Sequence, residues 1–270
     1  MKRPGPGGED AGPAWRAACI ASWVAPGWRI VSLNPEEELT GLGALPDGIA
    51  VRPAIPGVEQ AYGRPGAWVA DGMAAALATG APVVGLVNAD ILFALDAPRR
   101  AALSDRAARA MLVCNRMEIG HPAQAEGPFY RYGYDVVLMP RAVAQRLDLA
   151  GFAFGVPWWD YWIVLDALMQ GLPVEAVQCP GLRHLTHPQA WDQPGWRRAL
   201  GVLMARLGPR RDAFAALHPG PVALAAADLL STIAARPSEG YALDEMMMTT
   251  GTRFGIEVVR LAERQAWRLE

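Results

Sequence analysis

The chain has 270 residues, of which 52% are hydrophobic and 19% charged, and its formal net charge is −2. That supplies a sizeable core for one large α/β domain or a domain with a helical appendage, and it excludes global disorder. The near-neutral balance lacks the basic excess of a nucleic-acid binder, so Arg99-Arg100, Arg197-Arg198 and Arg210-Arg211 read as solvated helix faces.

Residues 1–13 are rich in Gly and Pro and are expected to be disordered. They carry no apolar signal core. No apolar run reaches the roughly 18 residues that span a bilayer, and a cytoplasmic protein without a transmembrane segment is expected. Cys19, Cys114 and Cys179 form no CxxC pair, which fits a reducing compartment.

A helix is predicted from Trp15 to Val24, ending at Pro26-Gly27. Trp28 to Leu33 and Gly48 to Arg52 read as strands, with an acidic helical turn, Glu36 to Glu38, between them. Residues 58–65 read as a loop, and Val69 to Thr79 as a helix stopped by Gly80. Pro82 to Val87 is the clearest strand. Its residues are apolar on both faces, as in a parallel strand covered by helices, and it stops at Asn88-Ala89-Asp90. Asp96-Ala97-Pro98 opens the next helix. Ala110 to Cys114 and Tyr134 to Met139 read as strands joined by a loop over 120–133, and Ala142 to Leu147 as a short helix. Gly155 to Trp162, GVPWWDYW, leads into a helix that ends near Gly171. Pro173 to Val177 is the last predicted strand, followed by a polar loop, Gly181 to Asp192, holding His184 and His187. Beyond residue 195 helical stretches alternate with Pro/Gly breaks. The expected organisation is a disordered 1–13, a catalytic or binding domain over 14–195 and an α-helical tail over 196–270 able to support an oligomer. Up to residue 195 the alternation of strand and helix predicts a mostly parallel sheet covered on both faces.

In open α/β sheets, ligands bind beyond the carboxyl ends of the strands. Asp90 is placed there, and a hard divalent cation needs only one or two carboxylates besides ligand phosphates. A plain Asx turn is the competing reading of the same residues. Trp158, Trp159, Asp160, Tyr161 and Trp162 put a carboxylate among flat apolar rings. That combination suits a general base beside a sugar face, although Trp158 and Trp162 also share one helical face suited to packing. His184 and His187 follow a strand and can reach the same mouth as Asp90. Tyr130, Arg131 and Tyr132 can line an acceptor site or simply pack their loop. No GxSxG, P-loop, HExxH or strand-linked GxGxxG occurs.

The ordered set NADI, Asn115-Arg116, GYDVVLMPR, GVPWWDYW and HLTH resembles bacterial GT-A-type nucleotide-diphosphosugar glycosyltransferases over roughly residues 15–195. The resemblance implies a three-layer GT-A-like sandwich with the helical tail appended. It also implies a nucleotide-sugar donor, a hydroxyl-bearing acceptor such as a saccharide, and Mn²⁺ or Mg²⁺ as cofactor. Asn88-Ala89-Asp90 matches the family's Asp-X-Asp motif with its first acid replaced. On that basis Asn88, Asp90 and Arg64 are expected at the donor, and Asp90 at the metal, joined by His187 or His184. Asp160 is the expected base, and Trp158, Trp159 and Tyr161 the expected acceptor platform. The chain departs from the family where the helix Trp15 to Val24 precedes any strand. A missing first strand would expose a sheet edge or a cavity and weaken donor binding. That departure keeps open a degenerate, non-catalytic sugar-nucleotide-binding or assembly protein.

Overall fold

The computed structural model describes residues 12–25, 27–43, 45–187, 192–217, 221–236 and 244–269. The expected disorder of the first residues falls outside this set, except that Gly12 and Pro13 already belong to the first helix. The elements run α1 (Gly12–Trp23), β1 (Ile30–Asn34), α2 (Glu36–Leu39), β2 (Ile49–Pro53), α3 (Val58–Tyr62), α4 (Val69–Ala78), β3 (Val83–Val87) and β4 (Ile91–Phe93). They continue with α5 (Ala97–Ala107), β5 (Met111–Ile119), β6 (Val136–Pro140), α6 (Arg141–Ala144), α7 (Trp159–Met169) and β7 (Val174–Leu185). The remainder is α8 (Gln193–Leu207), α9 (Arg211–Leu217), α10 (Pro221–Ala235), α11 (Asp244–Ala262) and β8 (Ala266–Arg268).

The protein is α/β, with a mixed sheet in the order β3-β6-β5-β7-β4 and with β8 also on β7. The β5/β7 and β7/β8 ladders are parallel, while β3/β6, β5/β6 and β4/β7 are antiparallel. The expectation of a mostly parallel sheet is therefore corrected. The chain between β5 and β6 forms no crossover helix, and without one β6 returns antiparallel to its neighbour. β1 and β2 form a separate parallel pair.

Alternation along β5 explains its continuous apolar run. Met111 and Val113 face a core built with α4, α7, α8 and the later helices, while Leu112 and Cys114 face a second core with α1 and α5. All three cysteines are buried and unpaired. Asp96 caps α5, its Oδ1 accepting from Arg99 N at 3.0 Å, with Pro98 in the first turn as the sequence predicts. Asp192 caps α8 in the same way.

Three further expectations change. The stretch over 58–65 contains the short helix α3. β7 runs twelve residues rather than ending at Val177, so Gly181 to Leu185, His184 included, lie on a strand. The tail carries a strand, β8, and the boundary drawn at residue 195 is not a break in the core. Leu200, Leu203, Leu230 and Phe254 are fully buried in the same cluster as β5 and α7. Among the described residues, no helix is long and apolar enough to cross a membrane.

Candidate metal centre and its cleft

The register of three strands builds the site. His184 on β7 pairs with Ile91 of β4 on one side and with Glu118 of β5 on the other. Asp90, immediately before β4, is thereby brought beside the His184 ring. The Asn88–Asp90 turn is pinned from two directions: Asn88 N and Nδ2 donate to Asp135 O and Oδ1 at 3.0 and 2.6 Å, and Trp15 Nε1 donates to Asp90 O at 3.1 Å. His187 stands two residues beyond the end of β7, with its side chain 47% exposed.

Asp90 Oδ2 lies 3.3 Å from Nε2 of His184 and 3.3 Å from Nε2 of His187, and the two Nε2 atoms are 3.2 Å apart. Neighbouring ligands around an ion bound at about 2.1 Å stand roughly 3.0–3.4 Å apart, so this triangle has the dimensions of one face of a coordination shell. Asp90 Oδ1 is enclosed without a hydrogen-bond partner among the described residues. Of the groups of His, Cys, Asp and Glu among those residues, Asp90, His184 and His187 converge as a ligand set. The three residues fit a divalent cation.

Behind the triangle runs a chain of alternating charge. His184 Nδ1 lies 2.9 Å from Glu118 Oε2, and Glu118 Oε1 accepts from Arg116 Nε at 2.7 Å. Arg116 Nη1 pairs with Asp135, the residue that holds Asn88. Burial disfavours the charged forms of Asp90, Glu118, Arg116 and His184, and their partners outweigh it. Hydrogen bonds from His184 and His187 hold Asp90 well below the usual carboxylate range, and contacts with His184 and Arg116 bring Glu118 down to about 2. Asp90 and Glu118 in turn raise His184 to about 9. A carboxylate on Nδ1 directs Nε2 toward the ligand position, the usual support of a metal-bound histidine. Glu118→Gln is expected to weaken Mn²⁺ binding by about 10–100-fold while leaving the three ligands in place; isothermal titration with MnCl₂ measures it.

The sequence reading missed Arg116, Glu118 and Asp135. A signal was available: Arg116 and Glu118 alternate with Met117 and Ile119, the period of a strand continuing past Cys114.

Asp90, His187 and Asn88 open onto a cleft of about 2300 Å³ whose walls also include β1, β3, α1 and Arg64. Arg64 is thus brought to the same space as Asp90, with its Nη1 donating to Gly155 O at 3.2 Å. Asp160 is not among the residues lining this cleft. It sits beneath Gly133, where a Cβ would come within 2.3 Å of its Oδ2, so only glycine admits the carboxylate there. Oδ2 accepts from Tyr134 N at 3.2 Å. Trp158 and Trp159 are only 2% and 3% exposed. The acceptor role expected of them is corrected: their rings belong to the core. Tyr161 is partly buried and donates to Tyr132 O at 2.5 Å. The Tyr132 ring is exposed and packs edge-on against Tyr130 with centroids 5.7 Å apart.

Burial, reinforced by Asp135, lifts the Asp160 carboxyl from 3.8 to about 7, with backbone N–H groups partly opposing the shift. The folded protein therefore keeps a proton that the unfolded chain has released above about pH 4. Stability contributed by this group is fully present below the unfolded value and falls as pH rises toward 7. Asp160→Asn keeps an acceptor for Tyr134 N–H and removes the titration. It is expected to flatten the decline between pH 4 and 7 and to leave the variant about 2 kcal/mol more stable than wild type at pH 8. Urea unfolding at pH 5 and pH 8 checks the difference.

Comparisons with family profiles, with curated proteins and with solved structures find no match, and the site is read from its own geometry.

Proposed function

We propose that the chain is a metal-assisted glycosyltransferase of the GT-A type, moving a sugar from a nucleotide-diphosphosugar to a hydroxyl acceptor. The observation that carries this reading is the Asp90–His184–His187 triangle, which meets the cleft through Asp90 and His187 just beyond the carboxyl end of β3. A divalent cation held there supplies positive charge to the leaving diphosphate. Asp90, His184 and His187 hold that cation, Glu118 orients His184, and Arg64 brings a further positive charge to the cleft. Asn88, tied to Asp135 through its amide nitrogen, shapes the wall rather than replacing the acid that the family motif has at its place. Asp160 lies beneath Gly133 and does not line this cleft, so it is given no step with the acceptor, and the exposed Tyr132 ring offers an aromatic face for a sugar.

Two histidine nitrogens in the ligand set favour Mn²⁺ over Mg²⁺, which prefers all-oxygen shells. The test is equilibrium binding of UDP- and GDP-sugars with and without Mn²⁺, followed by product analysis with simple saccharide acceptors. Mn²⁺-dependent donor binding that Asp90→Ala removes is the expected result. Metal-independent binding, or no binding by any donor, overturns the reading.

A second reading, a sugar-nucleotide-binding protein without turnover, is favoured by one observation: among the described residues, β1 and β3 each line the cleft with an edge that pairs with no strand. Donor binding without hydrolysis or transfer separates it from the first.

A further inference from the structure

The rim of the cleft beside the metal triangle is built by the ends of two neighbouring strands. The β5/β7 ladder closes with Ile119 opposite Leu185, and Thr186 N adds a bond to Ile119 O at 2.9 Å. Neighbouring strands stand about 4.8 Å apart. His121 and His187 each lie two residues past that last pair, so the ladder brings a further histidine to the rim that carries the one in the triangle. Gly120, His121, Thr186 and His187 all line the cleft.

Local chemistry fixes the state of the His121 ring. Gln124 N donates to His121 O at 2.9 Å, and Gly120 N donates to Gln124 Oε1 at 2.9 Å. These bonds close residues 120–124 into a turn fastened to the end of β5. Within it Ala123 N donates to His121 Nδ1 at 3.2 Å. A neutral imidazole that accepts at Nδ1 carries its proton on Nε2. Among the described residues, Nε2 of His121 has no hydrogen-bond partner. His121 therefore differs from His184 and His187. One ring nitrogen is committed to its own turn and the other bears a hydrogen, so the ring keeps no lone pair for a cation and stands outside the ligand set. What it offers is one N–H donor on an exposed side chain at the cleft rim.

The two acids of the metal centre on this side are already engaged. Asp90 Oδ2 meets both histidines of the triangle, and Glu118 meets His184, Arg116 and Thr186. The oxygen that the His121 donor would meet in the cleft is therefore a ligand's, and an anionic oxygen makes the strongest such bond.

We propose that His121 is a further substrate-binding residue, which donates a hydrogen bond from Nε2 to a phosphate oxygen of a diphosphate held at the Asp90–His184–His187 centre. The inference rests on the transferase reading and extends its site to the connection between β5 and β6. Cation and donor are presented by the ends of two paired strands, so a diphosphate meets both from one rim. The neutral N–H adds a directed bond without adding charge.

The test is calorimetric titration of the full chain with inorganic diphosphate in saturating Mn²⁺, with Mn²⁺ alone titrated in parallel. Wild type is expected to bind diphosphate only when Mn²⁺ is present. His121→Ala is expected to weaken that binding by about 10-fold or more, as for a lost hydrogen bond to a charged group, and to bind Mn²⁺ alone as wild type does. His121→Gln can place an amide N–H where Nε2 stands and is expected to recover most of the loss. His121→Asn, whose shorter amide lies where Nδ1 stands, is expected to fall with the Ala variant. Equal diphosphate affinity in wild type and His121→Ala overturns the assignment. A loss in the Gln variant as large as in the Ala variant overturns donation from Nε2. Weaker binding of Mn²⁺ alone by His121→Ala makes the residue part of the metal centre and overturns the phosphate role. A wild type that takes up Mn²⁺ but binds no diphosphate overturns the transferase reading, and the assignment with it; that result is distinct from variants that match a binding wild type.

Discussion

Asp90→Ala is expected to abolish measurable Mn²⁺ binding, a loss of more than about 100-fold, beyond the range seen when only an outer-shell partner is removed. The side chain supplies the only carboxylate in the ligand triangle, and its Oδ2 is the atom equidistant, at 3.3 Å, from both imidazole nitrogens. Without it two histidines remain, one of them engaged with Glu118. The fold should tolerate the change. The Asp90 side chain is 42% exposed, and the bond that pins the turn comes from Trp15 to the Asp90 backbone carbonyl, which the substitution keeps. Loss of the free-Mn²⁺ resonance on adding protein reports binding directly, and this readout needs neither donor nor acceptor. Wild type is expected to take up one Mn²⁺ per chain at micromolar concentration and to bind Mg²⁺ much more weakly. Equal Mn²⁺ uptake by wild type and Asp90→Ala would remove the metal centre, and with it the main support for a metal-assisted transferase.

Trp158→Ala is expected to cost about 3–5 kcal/mol of stability, the range for removing a buried aromatic side chain. Trp158 is the seam between the sheet and the helical tail. Its ring meets Trp196 of α8 edge-on at 5.0 Å and Phe254 of α11 at 6.1 Å, and its Nε1 donates to Trp196 O at 3.2 Å. Gly251 of α11 permits this approach, since a Cβ there would stand 3.3 Å from the ring. The backbone adds a separate test. Trp158 has φ 86° and ψ −22° at the amino end of α7, and among the described residues it is the non-glycine residue with positive φ. A non-glycine residue in that region costs roughly 1–2 kcal/mol. Trp158→Gly loses the same ring but relieves the backbone. It is therefore expected to be no less stable than Trp158→Ala, and more stable by about 1 kcal/mol, despite the added chain entropy of glycine. Paired urea titrations decide both points. A cost below 1 kcal/mol for the Ala variant would show that the tail is not anchored through this ring.

These two residues also mark what could be read from the chain. Asp90 was legible because the cue is local. An apolar run of strand length ends in an Asx turn, and the first acid beyond it must lie at the strand's carboxyl end. The Asp96 cap and the helix Val69–Ala78 were legible for the same reason, since side-chain chemistry and period are set by neighbours in sequence. Trp158 was not. Its placement among aromatics fits an exposed platform as well as a core anchor, and only the docking of α8 and α11, forty to a hundred residues later, decides between them. Glu118 was hidden because its polar neighbours resembled a turn after Cys114, whereas pairing with β7 extends the strand to Ile119. The helix that precedes the first strand was visible in the sequence. That β1 and β3 each keep an unpaired edge among the described residues is a fact of the sheet order.

The sequence by itself determined an α/β chain, a strand stopping at the turn that holds Asp90, histidines able to approach it and a helical tail. Tertiary structure alone decided that the sheet is mixed, that the tail shares its core, that Trp158 and Trp159 face inward and that Glu118 stands behind His184. The reason is physical. Period, capping and turn chemistry act over a few residues and are written locally. Register between strands and the docking of distant helices depend on which surfaces meet. Those contacts bring Asp90, Glu118 and His184 within hydrogen-bonding distance although up to 94 positions separate them.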